Sequence, residues 1–162
     1  MSAVPSFEHQ LAVGRVGESL IASYLRSRGA NILPVYEIEK PDGKGPRVFS
    51  ADNRQLVAPD MFAFTGGGRC FWVEAKYKDA FTWHRKTQKW TTGIDRYCYE
   101  HYLELRRKSG IQIYLMFLHR GGQAKDSPPN SPSGLFIGEL GYLSHHVNHE
   151  HPNFGPTGGV FW

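Results

Sequence analysis

Two charged residues inside one short apolar stretch carry the first chemical signal in this sequence. Glu74 and Lys76 stand two apart within Cys70 to Tyr77, where Phe71, Val73 and Tyr77 are apolar or aromatic. Residues two apart on an extended strand project from the same face. Burying a carboxylate or an ammonium is costly unless each is paired or meets a metal ion. Asp60 opens the preceding short strand, and a hairpin brings it near Glu74. Two converging carboxylates repel, and a magnesium ion with hard oxygen ligands offsets that repulsion. The backbone carbonyl of Ala75 offers one more oxygen. The plain alternative is a surface lysine paired with Glu74.

The elements that must position these residues are legible in outline. Phe7 to Arg28 has helical periodicity, with Val13, Val16, Leu20 and Tyr24 as its apolar stripe and Gly29 as its stop. Gly14 and Gly17 would let this helix approach a sheet closely, and Glu18 sits at the margin of the stripe beside Ile21 and Leu25. Asn31 to Ile38 is predicted as a strand, Lys40 to Arg47 as a loop, and residues 47–57 as adding a short strand. Asp60 to Phe64 and Cys70 to Tyr77 form a hairpin across the turn at 65–69. That glycine run is no phosphate-binding loop, because neither Gly-Lys-Ser/Thr nor a helix follows, so no nucleotide cofactor is expected. Ile94 to Lys108 is predicted helical, with Ile94, Tyr97, Cys98, His101 and Leu105 on one face. Strands follow at Ile111 to His119 and Leu135 to Leu140, separated by a proline- and glycine-rich loop. His145, His146, His149 and His151 fall in a solvated tail, and His101 is a satisfied core histidine. The expected fold is α/β: one domain over 1–162, with helices flanking a central mixed sheet.

Pro59-Asp60, followed fourteen positions on by Glu74-Ala75-Lys76, resembles the PD-(D/E)XK nuclease signature. Gly17-Glu18, within Gly14-Arg15-Val16-Gly17-Glu18, is similar to the helix motif of the Holliday-junction-resolvase branch of that superfamily. The resemblance covers residues 11 to about 119, with elements in matching order. It implies a restriction-endonuclease-like domain with an αβββαβ core. It also implies magnesium-dependent hydrolysis of DNA phosphodiester bonds, with manganese as a substitute ion. Asp60 and Glu74 would hold the metal with the Ala75 carbonyl and Glu18, and Lys76 would orient the attacking water and stabilise developing charge. A junction-cutting member would act as a homodimer.

The charge distribution adds a separate signal. Of the net charge of +4, the segment from Lys78 to Arg96 contributes +3, from five basic and two acidic residues. Within it, Lys78, Trp83, His84, Arg85, Lys86, Lys89 and Trp90 interleave cations with aromatic rings. Cations meet phosphates and rings stack on unpaired bases, so the segment is a candidate DNA contact. The competing readings are a solvated charged face and, for Trp83 and Trp90, core packing. No apolar stretch reaches the roughly 20 residues that span a bilayer. The first ten residues lack the pattern of a secretory leader, and Cys70 and Cys98 are expected as free thiols, as in a cytoplasmic protein. Besides a DNA nuclease, two other classes remain: a non-catalytic nucleic-acid-binding module with the same fold, and an interaction domain whose basic patch meets an acidic protein.

Overall fold

The computed structural model describes residues 7–37 and 46–162, with side chains from residue 12 onward. The expectations for the N-terminal leader, for residue 38 of the first strand and for the loop at 40–47 therefore lie wholly or partly outside the described residues. The chain runs through helix α1 (Phe7–Ser27), strand β1 (Ala30–Pro34), a 3-10 turn (Val35–Glu37) and the hairpin β2 (Arg47–Phe49) and β3 (Gln55–Val57). Strands β4 (Met61–Thr65) and β5 (Cys70–Lys78) come next, then the hairpin β6 (Thr82–His84) and β7 (Lys89–Thr91), and β8 (Gly93–Asp95). Helix α2 (Arg96–Ser109), strands β9 (Gln112–His119) and β10 (Gly134–Glu139), α3 (Leu140–Ser144), β11 (His149–His151) and β12 (Gly159–Phe161) complete it.

The main sheet has the order β1-β4-β5-β9-β10. Its neighbours are antiparallel except β5 and β9, which run parallel from Phe71 opposite Gln112 to Lys78 opposite His119. Parallel neighbours need a crossover, and α2 lies on the connecting path. On one face Ile21, Ala22 and Leu25 of α1 pack with Met61, Val73, Ala75 and Met116. On the other, Tyr102 and Leu105 of α2 join Leu56, Ile94, Ile113, Leu115, Phe117 and Leu140. The mixed sheet between helical layers is the α/β architecture expected, with the β2–β3 and β6–β7 hairpins as additions to the αβββαβ order.

Three expectations are corrected. On α1 the buried line is Gly17, Ile21 and Leu25, whereas Val16 and Leu20 are 51% and 49% exposed and Tyr24 is also exposed. The apolar stripe of the sequence therefore faces away from the sheet, because the small residues, not the large ones, let the helix settle. Ile94 and Asp95, expected to open the second helix, belong to a strand with Gly93, because they pair with Val160 and Gly159. α2 consequently begins at Arg96, and its buried line runs through Tyr102 and Leu105, leaving Tyr97 exposed. The histidine-rich tail is not irregular: β11 and β12 fold back onto β8, and Val160 and Phe161 are buried, while His145, His146 and His151 stay exposed and His149 is half-buried.

Gly17 explains how closely α1 and β5 approach. A Cβ there would stand 2.2 Å from Tyr77 Cβ, whereas one at Gly14 would meet nothing. Gly14 is thus not needed for the contact. Gly17→Ala gains about 1 kcal/mol in helix propensity, but it forces backbone apart, an overpacking that costs ~1–3 kcal/mol or more. The clash should win, and thermal melts should show a midpoint several degrees lower for Gly17→Ala and unchanged or higher for Gly14→Ala.

Candidate metal-dependent active site

The antiparallel pairing of β4 with β5 stops at Met61 opposite Val73. Beyond that point β5 has no β4 neighbour, and the side chain of Asp60 takes over: its Oδ2 accepts the Ala75 N–H at 2.8 Å. In a strand a residue's N–H and C=O leave on the same side, so Ala75 also turns its carbonyl toward Asp60. Glu74 is only 2% exposed. Its Oε1 accepts from Lys76 Nζ, and its Oε2 accepts the Tyr102 hydroxyl at 2.6 Å. Lys76 keeps 32% of its side chain exposed. Glu18, one residue past the Gly17 contact, is near enough for its charge to act on Asp60.

The electrostatics follow from this crowding. Burial raises the Asp60 carboxyl well above its usual value, Glu74 and then Glu18 add repulsion, and Lys76 and the Ala75 N–H only partly oppose it. Burial works against the charge of Lys76, yet Glu74 and Asp60 outweigh it and raise its pKa. At Asp60 the repulsion from Glu74 and Glu18 thus adds to burial, and the Lys76 ammonium offsets only part of it. Among the described residues no group of three or more His, Cys, Asp or Glu side chains is placed to hold a metal ion together. Magnesium does not need such a group: it binds through one or two carboxylates and completes its shell with water and substrate oxygens. Asp60 and Glu74 with the Ala75 carbonyl offer an all-oxygen set of that kind, which Glu18 would join through water.

The residues grouped as a DNA contact separate in space. Lys78 is turned inward: its Nζ donates to the Gly93 carbonyl and lies 5.7 Å from the Phe117 ring centre. Burial and the nearby Lys76 pull its pKa down to about 8. The others belong to the β6–β7 hairpin. Trp83 and Trp90 face each other across it, edge to face at 5.1 Å, and belong to neither core cluster. Arg85, Lys86 and Lys89 are exposed at its tip, with Arg85 paired to Asp126 at 3.1 Å. His84 stacks on His149 at 3.8 Å, which ties the hairpin to β11. His101 is hydrogen-bonded, accepting the Val57 N–H at 2.9 Å.

Sequence reading missed Tyr102, while Cys98, placed on the inward face, does pack against the core. The thiol of Cys98 is raised to about 11 by burial and by Glu74. The signal was present: Cys98, Tyr102 and Leu105 follow helical spacing, but a helix begun at Ile94 favoured the stripe through Tyr97 and His101.

Strand order, the parallel β5–β9 step and flanking helices make up a restriction-endonuclease-like fold. The structure is similar to that of Hjc, a Holliday junction resolvase from the archaeal hyperthermophile Archaeoglobus fulgidus. The TM-score is 0.50 at 11% identity, over 91% of this chain and 86% of that one. At such identity the likeness establishes the fold alone. No family model and no curated protein matches the sequence.

Proposed function

We propose that the protein is a magnesium-dependent nuclease that hydrolyses DNA phosphodiester bonds. The observation that carries this is the meeting of Asp60, Glu74 and Lys76 where β5 outruns β4, on the fold that Hjc also adopts. Asp60 and Glu74, with the Ala75 carbonyl and Glu18, hold the ion, for which manganese substitutes. When bound, the ion polarises the scissile phosphate and lowers the pKa of water. Lys76 meets negative charge developing on the phosphate and orients the attacking water. The β6–β7 hairpin supplies phosphate contacts from Arg85, Lys86 and Lys89, with Trp83, His84 and Trp90 as its aromatic side.

Two strands cut together require two sites, and a homodimer is part of this proposal. Val16, Leu20 and Tyr24 form an exposed ridge on α1. Beside it lies a groove of about 650 Å³ lined by Tyr24, Phe71, Tyr114, Met116 and Ile137. Ridge and groove on one flank suit a two-fold contact between copies. Sedimentation at micromolar concentration should give the dimer mass, and Leu20→Glu the monomer.

The deciding experiment incubates the protein with linear, single-stranded and four-way-junction DNA, with magnesium and with chelator. Magnesium-dependent cleavage of any of these supports the reading; binding without cleavage on all three would leave a non-catalytic nucleic-acid-binding module. Replacing Arg85, Lys86 and Lys89 together with alanine should weaken DNA binding and flatten its salt dependence. Every cation removed from a phosphate lowers the log–log slope by ~0.9 on duplex and ~0.7 on single strands. An unchanged slope would turn the hairpin away from the DNA.

A further inference from the structure

The two oxygens of Glu74 are held by partners of unequal freedom. Oε2 takes the hydroxyl of Tyr102, a residue that is 1% exposed and packed with Leu105, Ile113 and Leu115. Oε1 takes the ammonium of Lys76, which reaches the surface. A phenol enclosed on every side cannot leave without opening the core, whereas a lysine on a four-carbon stem can.

We propose that Tyr102 is a positioning residue: it closes Oε2 of Glu74 and leaves Oε1 as the oxygen open to a divalent cation, so that Lys76 must quit Glu74 when the site fills. The inference rests on the metal site of the preceding section. It makes the free lysine conditional on the loaded site. While Oε1 is without a cation, Lys76 is held on Glu74 and withheld from the phosphate. Outer-shell donors of this kind usually change metal affinity by ~10–100-fold when removed.

Tyr102→Phe keeps the ring and removes only the donor. Manganese binding, measured by calorimetry and by the paramagnetic resonance of the free ion, should weaken at least about tenfold. At saturating manganese, kcat on DNA should fall while KM stays unchanged. Leu105→Ala softens the same helix without touching Glu74 and should bind manganese like the parent. A 15N spectrum of lysine-labelled parent protein provides an arm that needs no variant: the slowly exchanging Lys76 ammonium signal should vanish on adding magnesium. Manganese affinity within about twofold of the parent for Tyr102→Phe, an equal loss in Leu105→Ala, or a Lys76 signal indifferent to magnesium would each overturn the proposal. A parent that binds manganese yet cuts no DNA would remove the nuclease reading while leaving this test decided by affinity.

Discussion

Lys76→Ala is expected to lower the rate of DNA cleavage by at least ~10²-fold, the loss typical of removing one preorganised donor to developing negative charge. Manganese affinity should be unchanged or tighter. Lysine is no ligand for a hard cation, and here it occupies the same Glu74 oxygen that the cation needs. The two readouts must therefore part company: the rate collapses while binding survives. The structural alternative, in which Lys76 only neutralises Glu74, predicts another pattern. Removing one partner of a buried pair then strands Glu74 and costs ~3–5 kcal/mol of stability, with no particular effect on chemistry in whatever remains folded. Single-turnover cleavage, manganese titration and thermal melts on the same preparation distinguish the two. Parental cleavage by the variant would remove the nuclease assignment.

The second large effect concerns Asp60. Asp60→Asn keeps an oxygen able to accept the Ala75 N–H but removes one of the two carboxylates that act on Lys76 and the one that Glu74 and Glu18 repel. In chelator the variant should melt higher than the parent; relief of ~1 kcal/mol corresponds to roughly 2–4 °C for a domain of this size. The folded-state pKa of Asp60 is raised, so the parent's folded state holds a proton that the unfolded chain releases near 3.8. Its stabilising share is present at low pH and lost as pH climbs through the raised value. The gap between variant and parent should accordingly widen as pH rises from 3.8 toward that raised value. Magnesium reverses the order: at a hundred times its dissociation constant it stabilises the parent by about 2.7 kcal/mol, or roughly 5–10 °C. The variant, lacking a ligand, gains less. A variant that melts lower in chelator, with a parent indifferent to magnesium, would make the cluster a structural salt bridge.

The catalytic candidates were legible because they break a local rule. Charges at Glu74 and Lys76 interrupt an otherwise apolar strand, and Asp60 follows a proline at the mouth of the same hairpin. What could not be read depends on partners far along the chain. Gly93 and Ile94 are extended only because Phe161 and Val160 pair with them, and no local propensity encodes a pairing across more than sixty residues. The reversed face of α1 has a similar origin. The hydrophobic pattern selected Val16, Leu20 and Tyr24, although the approach to Tyr77 is set by Gly17, which the sequence did offer as a point of close approach. Tyr102 was hidden for a third reason: beginning the helix at Ile94 drew the inferred face toward Tyr97 and His101, a fraction of a turn from the line through Cys98, Tyr102 and Leu105.

The central place of β5 has a consequence for motion. Through Val73 it is hydrogen-bonded to β4, and along its whole inner edge to β9, with a helix on each face. Amides in such a strand exchange with solvent only when much of the domain opens, so Glu74 and Lys76 inherit the slowest breathing the molecule has. The Ala75 N–H is protected by the Asp60 carboxylate and not by a neighbouring backbone. The β6–β7 hairpin is a two-stranded ribbon outside the main sheet. Under the proposed function the protein would pair a rigid centre for positioning atoms with an outer arm for meeting DNA.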